Sequence, residues 1–122
     1  MPNIATLHID DFQRVINNLN NQGELAIIYF SASWCQPCKR MAPVFERISI
    51  HFNDANIFFG SIDIAEAPII AQQYGIKSVP TVAILQKGRL IVSLSGERPF
   101  EEFIRHIEIA TSSLRDVLVN VT

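Results

Sequence analysis

The sequence predicts a single α/β domain in which a mixed central β-sheet is flanked by helices. The chain has 122 residues, a length typical of one domain. Apolar runs typical of buried strands alternate along it with segments whose apolar residues recur at helical spacing. The last two predicted strands are joined through Lys87-Gly88, which is typical of a β-hairpin. Parallel βαβ units therefore come first and an antiparallel pair comes last.

The first half of the chain begins with a short predicted edge strand at Ile4–Leu7. Asp10 and Asp11 can cap a helix that begins near Phe12, because their carboxylates can accept from free N–H groups. This helix is expected to end over residues 20–23, and its apolar residues are Phe12, Val15, Ile16 and Leu19. The continuous apolar run Leu25–Phe30 predicts a central strand that is covered on both faces.

The second helix follows a turn and carries its apolar residues Met41, Phe45, Ile48 and Phe52 on one face. Ile57–Ile62 predicts another buried strand, and Ala67–Tyr74 a short helix that Gly75 stops. Strands Thr81–Leu85 and Leu90–Leu94 form the hairpin. The final helix is marked by Phe100, Phe103, Ile104 and Ile107. We assign residues 1–111 to the domain and residues 112–122 to a C-terminal helix extension or tail.

Composition and charge exclude several classes of protein. Ten basic and twelve acidic residues give a net charge of -2, whereas nucleic acids and anionic membranes are bound by concentrated basic faces. Neither is an expected partner. The longest apolar run, Leu25–Phe30, is far shorter than the ~18 residues that a membrane span needs. The N-terminal residues show no Lys or Arg before Arg14 and no apolar core of a secretory signal, so we expect a cytoplasmic protein.

The motif that can carry chemistry is Trp34-Cys35-Gln36-Pro37-Cys38, between the central strand and the second helix. Pro37 fits the first turn of a helix, where a backbone N–H has no partner to lose. Cys35 then lies at the helix N-terminus, where free N–H groups and the dipole favour an anion. We expect its thiol pKa to lie below the ~8.5 of a free cysteine. Cys38 lies one turn later, within disulfide reach.

This placement predicts dithiol–disulfide exchange. Cys35 is expected to be an exposed nucleophile and Cys38 a less exposed resolving cysteine. Attack by Cys35 on a substrate disulfide gives a mixed disulfide, and Cys38 then attacks Cys35 and releases the reduced product. Trp34, at the turn beside the nucleophile, is expected to form a flat apolar wall for the substrate, with core packing as the alternative.

Other uses of the two cysteines fit the sequence less well. A buried structural pair of thiols is the plainest alternative, but the position at a helix start favours reactivity. A zinc site with Cys35, Cys38 and His51 would need a further histidine at one of residues 55–57, and none of these three is a histidine. Haem attachment would need a histidine where Lys39 stands, and an iron–sulfur cluster needs four thiolates. We therefore expect no metal site.

Several motifs in register resemble the thioredoxin family over about Ile4–Ile109. They are Phe30–Lys39, Met41–Pro43, Ile62-Asp63, Tyr74–Thr81, Gly88 and Gly96. The resemblance implies the thioredoxin fold, a cis peptide between Val79 and Pro80 that faces the cysteines, and an apolar substrate groove. The residues it assigns to substrate binding are Trp34, Gln36, Pro37, Val79, Pro80 and Gly96.

The resemblance also implies the partners. Substrates are target proteins with disulfides, and electrons come from a thioredoxin-reductase-like flavoenzyme that uses a nicotinamide cofactor. We expect no cofactor beyond the redox-active disulfide of Cys35 and Cys38, and we expect a monomer.

The chain departs from the family pattern around the cysteines. Gln36 stands where the family has glycine and adds a polar side chain that can shift the redox potential and the choice of partner. The family's buried aspartate falls at Tyr29 and its lysine at Phe59. The loss of both charges together is physically reasonable, because either charge buried alone would be strongly unfavourable. Ser31 replaces an aromatic residue, and Glu97 places a charge at the groove.

Tyr29 is expected to pack beneath the cysteine pair as a neutral phenol, because burial raises a tyrosine pKa above its usual ~10. It is then a poor base near neutral pH, so Cys38 must lose its proton to water or to the departing substrate thiolate. The predicted function is the reduction of protein disulfides. The alternatives are an oxidase or isomerase with an altered redox potential, and a binding module whose thiols are incidental.

Overall fold

The computed structural model describes residues 3–22, 24–53 and 55–121, which form a five-stranded sheet and four helices. The elements are β1 (Ala5–Leu7), α1 (Phe12–Gln22), β2 (Leu25–Ser31), α2 (Gln36–His51), β3 (Ile57–Asp63), α3 (Pro68–Gln73), β4 (Thr81–Gln86), β5 (Arg89–Ser95) and α4 (Phe100–Val121). Their order confirms the predicted alternation. The predicted end of the first helix at Gly23 lies outside the described residues, as do Met1, Pro2, Asp54 and Thr122.

The sheet is mixed and β2 lies at its centre. The strand order is β1-β3-β2-β4-β5, and β2 pairs in parallel with β3 and antiparallel with β4. In the parallel register Tyr29 lies opposite Ser61, and Ser31 lies opposite Asp63. The carboxyl ends of β2 and β3 therefore meet at one edge of the sheet, which is the edge where α2 begins.

The two faces of β2 pack against different helices. Alternate residues of the strand point to opposite faces, so one set packs with α2 and α4 and the other with α1 and α3. The first set is Leu25, Ile27 and Tyr29, and the second is Ala26, Ile28 and Phe30. All six are buried, as the continuous apolar run predicts for a strand covered on both faces.

β4 and β5 form the predicted hairpin around Lys87 and Gly88. Both turn residues have positive φ, 52° and 74°, which a two-residue turn of type I′ requires and glycine adopts without steric cost. The pairing register shifts between Ile84 and Leu85, so β5 carries one extra residue. This β-bulge was not predicted from the sequence.

The start of α1 differs from the prediction. The Asp11 carboxylate accepts from the backbone N–H of His8 at 2.8 Å, so it stabilises the turn before the helix and not the helix N–H groups. The Asp11 carbonyl oxygen accepts from the Val15 N–H at 3.0 Å and begins the helical pattern. At the other end of the chain, α4 runs on to Val121. Within the described residues, no helix combines the length and the apolar character needed to cross a membrane.

Candidate active site

The two cysteines lie at the N-terminus of α2. Cys35 is the N-cap residue, with extended backbone (φ -92°, ψ 111°), and its Sγ accepts a hydrogen bond from the Cys38 N–H at 3.2 Å. The two Sγ atoms are joined as a disulfide, and the Cα atoms are 5.3 Å apart. Gln36 and Pro37 are the first two residues of the helix, so the proline stands where no N–H partner is lost. The local sequence therefore places a sulfur where an anion is stabilised.

The prediction that Cys35 is more exposed than Cys38 is wrong. Cys35 and Cys38 are each 4% exposed, and both belong to the apolar cluster between the sheet and helices α2 and α4. The physical reason is that the Cys35 sulfur is bonded to Cys38 and also accepts the Cys38 N–H. In the oxidised form, exposure does not identify the nucleophile.

A second loop contributes Val79 and Pro80. The peptide between them is cis, and Val79 packs against the apolar cluster that contains both cysteines. The Gly96 N–H donates to the Pro80 carbonyl at 2.8 Å, with a Gly96 φ of 85° that favours glycine. Trp34 is 67% exposed, so it does not pack in the core. The structure thus joins Gly96 to Pro80 and packs Val79 against the cluster that contains the disulfide, while Trp34 precedes the disulfide in the chain.

Tyr29 is buried beside the first turn of α2. Its hydroxyl donates to the Cys38 carbonyl at 2.6 Å, and its ring stacks on Phe45 with centroids 5.1 Å apart. Phe45 in turn meets Phe59 edge-on at 6.0 Å. Burial, with a smaller contribution from the charge of Glu97, raises the pKa of Tyr29 to about 12. Three aromatic rings therefore pack where the resemblance places a charged pair, and the phenol holds its proton at neutral pH.

An ion pair that the sequence analysis missed holds Glu97. Arg40 on α2 donates to both carboxylate oxygens of Glu97, at 3.1 and 2.8 Å. These hydrogen bonds lower the pKa of the Glu97 carboxyl below its usual value and raise the pKa of Arg40. The two residues are 57 positions apart, so no local pattern links them. The charge predicted beside Gly96 is present, but a guanidinium accompanies it.

Two cavities beside Tyr29 were not predicted from the sequence. One, of about 240 Å³, reaches Cys38. The polar residues that line it with Cys38 are Tyr29, Ser31, Ser33, Lys39 and Asp63. The other, of about 320 Å³, also touches Tyr29 and Ser31 and includes Glu46. The sequence feature that pointed to this space is Ser31, a small residue where the resemblance places an aromatic ring.

No cluster of three or more His, Cys, Asp or Glu side chains is placed to hold a metal ion in the part of the chain that the structure describes. His51, which the sequence analysis weighed as a zinc ligand, packs edge-on against two aromatic rings. These are Phe52 and Phe100, with centroid distances of 4.8 and 5.8 Å.

The sequence and the fold match known proteins. The family profile described as thioredoxin matches residues 3–109, which is most of the chain. The chain belongs to the thioredoxin family. Thioredoxin from Coprinus comatus is 35% identical over 92 residues, which are 75% of this chain and 83% of that protein.

Solved thioredoxin structures agree with this assignment. The crystal structure of thioredoxin NaTrxh from Nicotiana alata has a TM-score of 0.78 and 28% identity, and the match covers 85% of this chain and 89% of that one. A chain in the crystal structure of a ferredoxin:thioredoxin reductase and thioredoxin f2 complex shares the fold. Its TM-score is 0.78 at 22% identity, over 88% of this chain and 94% of that one.

Family membership and a cysteine pair joined at the start of a helix make this protein a thiol–disulfide oxidoreductase of the disulfide-reductase type. Its substrates are disulfide-containing targets, as for other thioredoxins. The protein differs from the family pattern beneath the disulfide, where Tyr29 and Phe59 replace a charged pair.

Proposed function

We propose that this thioredoxin reduces disulfides of target proteins in the cytoplasm and is returned to its dithiol form by a flavoenzyme that uses a nicotinamide cofactor. The observation that carries the proposal is the position of Cys35 at the N-cap of α2, bonded to Cys38. In the reduced protein, the Cys38 N–H and the helix dipole would stabilise a thiolate at Cys35. This supports Cys35 as the nucleophile.

The reaction takes place in two exchange steps. The Cys35 thiolate attacks the target disulfide, forms a mixed disulfide and releases one target thiolate. Cys38 then attacks the Cys35 sulfur, which forms the intramolecular disulfide and releases the second target thiolate. Two electrons pass from the dithiol to the target, and the proposal needs no cofactor beyond the cysteine pair.

We assign target binding to the surface around the disulfide. The exposed Trp34 indole offers an apolar face, and the Val79-Pro80 segment, with Gly96 bonded to it, offers backbone to an extended target. Gln36 is exposed and adjoins Cys35 in the chain, so its amide can contact a target beside the nucleophile, with Pro37 next to it. Tyr29 and Phe59 lie beneath this surface and do not form part of it.

Composition supports the proposed compartment. Both cysteines of the chain form the reactive pair, which fits a reducing compartment where structural disulfides are rare. The fold match to a complex with ferredoxin:thioredoxin reductase makes that enzyme the alternative electron donor. Incubation with each purified reductase in turn, with a reduced nicotinamide cofactor or reduced ferredoxin as electron source, distinguishes the two donors. We propose a monomer, which sedimentation analysis tests.

Catalytic amounts of the protein should accelerate the reduction of a protein disulfide by a small dithiol. Cys35→Ser should abolish turnover, whereas Cys38→Ser should still attack and then accumulate mixed disulfides, because release is blocked. If Cys35→Ser traps the target and Cys38→Ser does not, the two roles are reversed.

A redox titration separates the remaining alternatives. A reductase should have a potential near the roughly -270 mV of thioredoxin, whereas an oxidase or isomerase would lie near about -120 to -180 mV. A value in the second range would overturn the proposal. A binding module with incidental thiols would show no turnover in the same assay.

A further inference from the structure

The resolving step needs an acceptor for the Cys38 proton, because only a thiolate attacks a disulfide. Tyr29 is not this proton acceptor. Its hydroxyl already donates to the Cys38 carbonyl at 2.6 Å, and its pKa of about 12 keeps the proton on the phenol. Ser31 and Ser33 near Cys38 are neutral hydroxyls, which can relay a proton but not hold one at neutral pH.

The cavity of about 240 Å³ is lined by both Cys38 and Asp63 and is open to solvent. It has room for several water molecules, since each occupies ~30 Å³ in the liquid. Asp63 is the last residue of β3 and lies opposite Ser31 in the parallel register, so it stands at the sheet edge where α2 begins. Among the described residues that line this cavity, Asp63 is the one carboxylate. Ser31 lines the same cavity with a small side chain.

We infer that Asp63 accepts the Cys38 proton through water in this cavity while the mixed disulfide is resolved. The inference rests on the proposed two-step exchange. The Cys38 proton passes to water and from there to the carboxylate. The Cys38 sulfur forms a bond to the Cys35 sulfur, the bond between Cys35 and the target breaks, and the electron pair leaves on the target thiolate. Asp63 then returns the proton to solvent or to that thiolate.

The other charges near the cavity leave this role to Asp63. Lys39 lines the same cavity, but an ammonium group has no acceptor site for a proton. Glu46 is exposed and touches only the neighbouring cavity. Glu97, whose charge acts on Tyr29, is paired with Arg40.

Asp63 has the hydrogen-bonding capacity for this role. Its Oδ1 accepts from the Ala65 N–H at 2.8 Å, and a carboxylate has a second oxygen that can take a proton. The same bond makes Asp63→Asn a matched test, because an amide oxygen can still accept from Ala65 while the basicity is lost.

The experiment follows the two steps separately. Rapid mixing of reduced protein with one equivalent of a symmetrical nitrobenzoate disulfide releases one coloured thiolate in each step. We expect the second phase of Asp63→Asn to be at least about tenfold slower near neutral pH, as for loss of a general base. The two proteins should converge at alkaline pH, where Cys38 is ionised in both. Asp63→Glu should restore part of the neutral rate, and the control Glu46→Gln should leave the profile unchanged.

Several outcomes would overturn the inference. One is an identical pH profile of the second phase in Asp63→Asn and in the wild type. Another is a faster second phase in the variant near neutral pH, which would mean that the Asp63 charge only repels the thiolate. The third is an equal loss of rate at every pH, which would indicate a structural role. If the proposed function itself is wrong, the result is different from all of these outcomes, because the wild type would then lack the first phase.

A second variant tests the same route without touching the carboxylate. Ser31→Phe should fill the cavity and exclude water, and so slow the second phase near neutral pH by a similar factor. A well-folded Ser31→Phe protein with an unchanged second phase would show that the cavity does not carry the proton. This test remains decisive if Asp63→Asn does not fold.

Discussion

Replacing Tyr29 by phenylalanine should change both the stability of this thioredoxin and its dependence on pH. The substitution removes the buried hydrogen bond of 2.6 Å to the Cys38 carbonyl, and it keeps the ring that stacks on Phe45. A hydrogen bond of this kind contributes roughly 1 kcal/mol to the free energy of unfolding. Near neutral pH, Tyr29→Phe should therefore be less stable than the wild type by about that amount.

The alkaline range adds a second, specific effect. The pKa of Tyr29 is about 12 in the folded protein, against ~10 in the unfolded chain. Because the folded-state pKa is raised, the stabilisation is fully present below the unfolded pKa and is lost as pH rises through the folded one. At about pH 11 the wild type should have lost roughly 1.4 kcal/mol in this way, which the phenylalanine variant cannot lose. The stability difference should then fall to about zero.

Urea unfolding followed by circular dichroism, in both proteins near neutral pH and at about pH 11, measures this difference. Tyr74, whose pKa burial also raises, titrates alike in both proteins and cancels in the comparison. A stability difference that stays constant over the two pH values would refute the reasoning, because Tyr29 would then titrate as it does in the unfolded chain.

Three further substitutions and one control substitution test the site and the core. Tyr29→Asp buries a carboxylate among aromatic rings, so the pKa of this carboxyl should rise and the free energy of unfolding should fall as pH rises above ~4. The mixed disulfide should be resolved faster than in the wild type near neutral pH. Equal rates of resolution in rapid mixing would contradict this. Arg40→Gln removes both hydrogen bonds to Glu97, so the carboxyl pKa should rise, and an unchanged NMR titration midpoint would count against the pair. Phe103→Ala, at a fully buried position, should cost ~3–5 kcal/mol in urea unfolding, whereas Ile109→Ala, at an exposed one, should cost less than about 0.5 kcal/mol.

Much of the fold was predictable because its patterns are local. Leu25–Phe30 is apolar at every position and became the strand buried on both faces. Lys87 and Gly88 suit a two-residue turn and adopted positive φ there. The position of Cys35 was equally local, since a proline two residues later suits the first turn of a helix.

The substitution at Tyr29 was visible in the sequence, but its consequence was only partly so. That the phenol would be buried and neutral was predicted, because Tyr29 falls at the position of the family's buried aspartate and burial raises a tyrosine pKa. The acceptor of its hydrogen bond, the Cys38 carbonyl, depends on how closely α2 approaches β2. Sequence spacing does not define that distance, because it depends on the size of the side chains between the two elements.

The sequence by itself determined the order of the elements, the family and the two reactive cysteines, because periodicity, turn chemistry and helix capping act over a few residues. Only the tertiary structure decided that both cysteines are covered, that Arg40 meets Glu97 across 57 positions, and that Asp63 shares a cavity with Cys38. These features need segments far apart in the chain to be packed at defined distances. The parallel register of β2 with β3 and the packing of α2 on the sheet determine those distances, and neither is a local property of the sequence.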